Sequence, residues 1–326
     1  MQDETASSVD LSDDTNDSLD GLMGDAIPDD VLKQDADAVR QVRRSLRNIQ
    51  AHMLQAHLNL GASRHDLGLV EALYHPSNTL SHLNYIVPRR NTAWIPAQEI
   101  RKGLDFLRGR ERMPRLYLIG GLYPPLFAKS LRDVGLTVER EIALMAHVAG
   151  DQMPSIPSRV DGLHTALVDN QDGIALWWYI WRNARYEVVA NGVEPVYIGR
   201  DMREMAMGNQ QDIILYQDRF PIGVARLTYV DQSANITAVA VLKESRTPES
   251  VGMLYQAALQ TALNRGCDMV FTSGETEADR QASRRSGFVD VGSLICYAET
   301  HIKRPASADK SQSDKHQMEQ LEFIMQ

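Results

Sequence analysis

Cysteine is almost missing from this chain: Cys267 and Cys296 stand alone among 326 residues. Two cysteines make neither a disulfide framework nor a zinc site. Both fall in strand-like stretches, where a free thiol behaves as a small buried hydrophobe. Long apolar runs are missing too. No stretch of about 18 apolar residues occurs, so neither a transmembrane helix nor a membrane partner is expected. The acidic N-terminal residues lack the apolar core of a secretory signal, and a cytoplasmic location is the expectation. There is no Gly-x-Ser-x-Gly, no phosphate-binding lysine loop and no nucleotide fingerprint. The nine histidines show no ligand spacing; His52 and His57, five apart, do not share a helix face, so no metal site is expected. An excess of charge is likewise absent outside one segment. The net charge is −9, yet residues 1–37 hold twelve acidic side chains against one lysine, which leaves the remainder near +2. Nothing in that balance points to nucleic acid.

What is present divides by composition. The acidic arm, residues 1–36, is rich in Asp, Ser and Thr and is expected to be disordered, a solubilising tail. A helix follows, with Val39, Val42, Leu46, Ile49, Met53, Ala56 and Leu60 at alternating steps of three and four and Gly61 as its stop. That spacing fits either a short coiled-coil seam or an amphipathic helix lying on its own domain. Residues 37–150 then read as strand (83–87), helix (96–107), strand (116–119), helix ending at Gly135, and strand (138–145). A second unit over residues 160–300 carries a Trp-rich helix (174–189) and a short helix (200–207). Strands at 212–217, 222–230 and 235–242 follow, then helix 248–265, strand 269–272, helix 277–285 and strand 289–298. Residues 302–326 form a polar tail ending in a small apolar cluster. The two units read as repeats: Leu116–Ala146 lies over Asp268–Ala298 without a gap, Arg132 falling on Arg284 and Gly135 on Gly287. Strand–helix alternation of this kind implies sheets with helices packed on their faces.

The most informative stretch runs from Ile236 to Cys267. A β-branched strand ends at Val241, and a short loop follows. Val251, Leu254, Tyr255, Ala258, Leu259, Ala262 and Leu263 then recur at helical spacing up to Gly266. A strand–loop–helix unit aims backbone N–H groups at whatever precedes the helix, which favours a phosphate. This pattern resembles the acyl-CoA-binding core of the GNAT superfamily of N-acyltransferases. There a strand ends in hydrophobic-x-Val, an Arg or Gln and small residues follow, and a long helix closes in Arg-Gly. Here Val239, Ala240 and Val241 end the strand, Arg246 takes the Arg position, Gly252 lies just past the second small position, and Arg265-Gly266 close the helix. Ser286-Gly287-Phe288 matches the family's Gly-Phe before its last strand.

The resemblance covers roughly residues 170–300 and implies an α+β fold of two GNAT-like units, each a mixed sheet flanked by helices, the first a degenerate copy. It implies transfer of an acyl group, most simply acetyl from acetyl-CoA as co-substrate, to a small-molecule or peptide amine by direct attack. A homodimer is compatible with it. Cofactor contacts are expected from Val239, Ala240, Val241, Arg246, Ser250, Val251, Gly252 and Thr276. Departures from the pattern are plain. The two small positions are Glu249 and Val251, and Thr247-Pro248-Glu249 also reads as an ordinary helix start. Thr276 occupies the region of the family's Asn but opens a capping box, and the family's acidic Tyr falls on Ser283. Ser283, Glu194 and Tyr297 are the catalytic candidates: Ser283 by position, Glu194 to orient the amine or act as its base, Tyr297 to replace the missing Tyr. Glu194 otherwise reads as a loop acid. Trp177, Trp178 and Trp181 read as core, part of whose face could border the acceptor. The alternative reading is a catalytically inactive GNAT-fold sensor or protein-interaction module.

Overall fold

The computed structural model describes residues 29–89, 94–150, 162–187 and 192–299. The acidic arm up to residue 28 and the tail from residue 300 lie outside them. The chain forms two compact units, Met1–Gln41 and Val42–Gln326. In the first, the described residues are the opening turns of helix α1 (Asp29–Asn59), where Arg40 and Asp37 pair across one turn at 3.5 Å. The remaining elements belong to the second unit.

Helix α1 ends just before Gly61, whose φ of +93° only glycine adopts without strain. Leu46, Ile49 and Met53 of its apolar stripe pack within the chain, while Val39 and Val42 are exposed. Leu46 and Ile49 are fully buried against Ile119, Leu144, Ala146, Met269, Phe271 and Val291. Of the two readings of the heptad spacing, this is the amphipathic helix packed on its own sheet.

The first repeat comprises β1 (Ser63–Asp66), β2 (Val70–Tyr74), β3 (Tyr85–Pro88), α2 (Ala97–Arg108), β4 (Arg115–Ile119), α3 (Pro125–Asp133) and β5 (Leu136–Val148). The second begins with β6 (Leu163–Leu167), α4 (Gln171–Tyr186), α5 (Pro195–Ala206), β7 (Gln210–Gln217), β8 (Phe220–Val230) and β9 (Ser233–Val241). It continues through α6 (Pro248–Asn264), β10 (Met269–Gly274), α7 (Glu277–Arg285) and β11 (Val289–Glu299). Three parts of the sequence reading need correction, one being strand β6, which was not expected ahead of the Trp-rich helix. The β1–β2 hairpin was not expected, because β1 is the wholly polar Ser-Arg-His-Asp of a sheet edge. Helix α5 starts at Pro195, five residues before the expected Arg200, because proline at the first helical position is pre-set for the turn.

The eleven strands of the described residues join one sheet in the order β1-β2-β3-β4-β11-β5-β10-β9-β8-β7-β6. The repeats are equivalent in pairing: β3 runs parallel to β4, and β9 parallel to β10. Their last strands, however, are exchanged. β11 lies antiparallel between β4 and β5, and β5 lies antiparallel between β11 and β10. The expected two sheets are therefore one, and each repeat supplies the strand that completes the other. Alternation along β5 divides the layers. Leu144 and Ala146 face α1, while Met145 joins the cluster of α6 residues Leu254, Tyr255, Ala258 and Leu259. On α4, Trp177, Trp178 and Trp181 are buried over Ile214, Val224 and Ala238. Cys267 and Cys296 are buried and free.

Candidate functional site

The parallel pair at the centre of the second repeat is incomplete. β9 meets β10 only over Ser233–Ile236 against Met269–Thr272. Beyond that, Thr237–Val241 stay with β8, and Ser273 and Gly274 stay with β5. The parting coincides with a bulge: Ile236 pairs with Leu227 and Ala238 with Arg226, which leaves Thr237 as the extra residue. Such a bulge bends its strand and ends local pairing. A cavity of about 220 Å³ opens at the parting, walled by Thr237, Ala238, Val239, Phe271, Thr272 and Ser273 from the two strands. α1 contributes His52, Met53 and His57, α4 contributes Trp181 and α6 contributes Tyr255. Tyr117, Arg140 and Leu144 close it from the strands of the first repeat.

Histidines dominate the polar chemistry of this wall. His52 Nδ1 lies 2.8 Å from Ser233 Oγ, and that hydroxyl donates to Val230 O at 2.8 Å. The single hydroxyl proton is thereby used, so Ser233 Oγ accepts from His52 Nδ1–H, and His52 Nε2 keeps a bare lone pair. Burial pushes the pKa of His52 down to about 4. His57 bonds the Tyr85 hydroxyl at 2.8 Å, and its pKa is driven to about 3 by burial and then by His82 and His52. His82 falls to about 4 through burial and the nearby Arg140. All three are uncharged at neutral pH. This cluster leaves no local pattern in the sequence, because His52 and His57 flank the cavity from different faces of α1 and His82 arrives from a distant turn. Among the described residues no group of three or more His, Cys, Asp or Glu side chains is placed to hold a metal ion.

The expected cofactor residues divide. Val239 lines the cavity, and Ala240 and Val241 continue the segment of β9 that has no β10 partner. Arg246 is engaged within the protein: Nε and Nη2 donate to Val241 O at 3.1 and 3.0 Å, and Nη2 also to Ala184 O at 2.9 Å. The guanidinium thus ties the end of β9 to α4. Ser250 forms a capping box with Thr247, accepting from Thr247 N–H at 2.9 Å and donating its own N–H to Thr247 Oγ1 at 3.2 Å. Glu249 in the same turn has its carboxyl held below the usual range by its own backbone N–H and then by the Thr247 hydroxyl. Val251 packs on the α6 core, and Gly252 is buried with nothing near enough to exclude a Cβ. Thr276 caps α7, its hydroxyl and N–H both donating to Asp279 Oδ2, at 2.7 and 3.0 Å.

The three catalytic candidates do not meet. Ser283 is fully buried and donates to Asp279 O at 2.8 Å. Tyr297 is packed with Leu116, Leu136 and Leu104 in the core under α2 and α3. Glu194 holds the N-cap position of α5 without a side-chain cap and pairs with Arg182 at 2.7 Å; burial is the largest influence and raises its pKa, but the Arg182 hydrogen bond, a backbone hydrogen bond and the Arg182 charge together outweigh it and the carboxyl ends below its usual range. An anchored, acidified carboxylate makes a poor base. Asp201 is fully buried, bound by Arg226 at 2.6 Å and by Trp178 Nε1 at 2.8 Å. The residue missed in the sequence is Tyr255, read there only as one of a helix's apolar positions. Burial raises its pKa, and hydrogen bonds to the Ser283 and Thr272 hydroxyls counter that rise. α6 therefore brings a phenol to the cavity beside the position where α7 carries only a serine.

No family model matches the chain, and no curated protein does. Solved structures do. A GCN5-related N-acetyltransferase from Kribbella flavida superposes with a TM-score of 0.60 at 18% identity, over 78% of this chain and 95% of that one. A GCN5-related N-acetyltransferase from Sphaerobacter thermophilus superposes at 0.52 with 14% identity, over 72% and 81%. Both matched shares exceed either repeat alone, so the likeness runs across the exchanged sheet. The chain has the GNAT fold. No helix among the described residues is long and apolar enough to cross a membrane.

Proposed function

We propose that the gap between β9 and β10 binds an acyl-CoA and that the protein transfers the acyl group, acetyl in the simplest case, to the nitrogen of a small amine in the adjoining cavity. The observation that carries this is the parting itself. Thr237–Val241 offer one edge of an extended strand to an open cleft. An extended pantetheine arm can pair with such an edge as a strand would. The nitrogen lone pair attacks the thioester carbonyl carbon, the N–C bond forms and the C–S bond breaks with its electron pair on sulfur. The proton shed by nitrogen is balanced by the one gained by the thiolate, so amine and acyl-CoA give amide and free CoA. We assign Tyr255, which lines the cavity, as the donor to the leaving sulfur. Tyr255→Phe keeps the packing and removes that donor. With acetyl-CoA and a panel of amines, it is expected to lower kcat roughly a hundredfold with little change in KM. An unchanged kcat would remove Tyr255 from the chemistry.

A second reading, a non-catalytic GNAT-fold binder of a small molecule, is favoured by one specific feature. The start of α6 spends its donors on Thr247, Ser250 and Glu249, where a diphosphate would need them. If an amine binds the cavity but no amine in the panel is acetylated, this second reading stands and the first fails.

A further inference from the structure

Acyl transfer does not by itself say which amine the cavity takes, but the wall carries that information. Four residues that line it each carry a buried polar atom with no hydrogen-bond partner among the described residues: His52 Nε2, His82 Nε2, Trp181 Nε1 and Thr237 Oγ1. Buried polar groups are normally paired, and orphans gathered on one wall mark where a ligand supplies the partners. Their roles differ. Trp181 Nε1 can only donate, His52 Nε2 can only accept because its other nitrogen donates to Ser233, and Thr237 can do either. Tyr117, Tyr255 and Phe271 add aromatic rings to the same wall, beside aliphatic side chains such as Ile142, Leu144 and Leu294.

Each carboxylate of this wall already has a partner within the protein. Glu275 stands 3.7 Å from Arg185, and Asp279 is taken up by the N–H and hydroxyl of Thr276. Arg140 lines the same cavity and adds positive charge. An alkylammonium would have to shed its proton and its hydration with no free carboxylate among the described residues of the wall to help it.

We propose that the acceptor is a weakly basic aromatic amine, uncharged at neutral pH, whose ring lies among the aromatic side chains and whose N–H donates to His52 Nε2. Such a nitrogen already carries a free lone pair, so attack needs no carboxylate base. The proposal rests on the acyl-transfer reading for the fate of the amine, though not for its binding.

The test titrates the full ¹⁵N-labelled chain with aniline and with benzylamine, close in shape but neutral and cationic respectively, with no thioester present. The Trp181 indole N–H resonance, assigned from its loss in Trp181→Phe, is followed. Aniline is expected to shift it saturably and to bind at least about tenfold more tightly than benzylamine, the scale of one hydrogen bond plus an avoided desolvation. His52→Phe keeps a ring and removes the acceptor, and should erase most of that preference. Thr237→Val, which keeps the shape, is the second arm should His52→Phe fail to fold, and should weaken aniline severalfold. Benzylamine binding as tightly as aniline, or aniline leaving Trp181 unmoved, overturns the proposal. Aniline that binds but is not acetylated by acetyl-CoA contradicts the acyl-transfer reading and leaves the binding proposal standing. Preferential acetylation of benzylamine does the reverse.

Discussion

Glu249 stands in the first turn of α6, where a helix offers backbone N–H groups and a positive dipole end to an anion. Its carboxylate takes that place itself, held by its own N–H and the Thr247 hydroxyl. Glu249→Gln removes the competing charge and is expected to tighten acetyl-CoA binding up to roughly tenfold, the scale of one charge-assisted hydrogen bond. Titration with S-acetylpantetheine, which has no diphosphate, should show no such gain; equal gains for both donors would mean the residue acts elsewhere. The sequence allowed this much to be seen, because a Thr-Pro-Glu start is a local signal. It did not show that Arg246 is tied to Val241 and Ala184, since those partners are set by the tertiary fold. The histidines give a second residue-scale consequence. His52 and His82 have folded pKa values of about 4 against 6.5 in the unfolded chain. Between those values the unfolded chain binds more protons, so their contribution is complete above pH 6.5 and is lost as pH falls toward 4. The slope is about 1.4 kcal/mol per pH unit for each fully displaced group. Denaturation midpoints measured from pH 7 to 5 should therefore decline, and decline less in His52→Phe. A flat profile would contradict neutral burial.

At the scale of elements, α5 shows how a helix is held by charge inside the protein. Arg226 on β8 is fully buried, with Nε and Nη2 on Asp212 at 2.8 and 2.7 Å and Nη2 on Asp201 of α5 at 2.6 Å. Its guanidinium also lies 3.9 Å from the centre of the Trp177 ring. Arg226→Met leaves two buried carboxylates facing each other, and should cost roughly 3–5 kcal/mol in equilibrium unfolding. Adding Asp212→Leu should return part of that loss; a single variant as stable as the wild type would show the network to be dispensable. Most elements were legible. Helix α7 opens and closes at the residues that its capping box and Gly287 indicate, and α6 carries an unbroken apolar face. What escaped were β1, polar at a sheet edge, the short strands β2 and β6, and the start of α5, where Glu194-Pro195-Val196-Tyr197 looks like loop until the helix is seen.

For the whole molecule, the exchange of β5 and β11 makes each repeat depend on the other. The gap-free match of the β4–α3–β5 and β10–α7–β11 segments was visible in the sequence. Which strand lies beside which was not, because pairing between distant strands leaves no local pattern. The one trace is that β5 is apolar on both faces at Leu144, Met145 and Ala146, as an interior strand must be. Residues 162–299 expressed alone would leave β10 and β11 without their antiparallel partners. No cooperative thermal transition is expected for that piece, and a sharp one would show the repeat to be self-sufficient. The same exchange brings α1 of the first repeat over the cleft of the second, so residues far apart in sequence, His52 and Thr237 among them, line one cavity. The claim that this gap is an acyl-CoA site is tested most directly by calorimetric titration of acetyl-CoA into the full chain. Saturable binding at submillimolar concentration, kept in Arg246→Ala refolded to wild-type helicity and lost when Ala238→Trp fills the gap, is the predicted result. No heat of binding at millimolar acetyl-CoA, in both the wild type and Glu249→Gln, would contradict it.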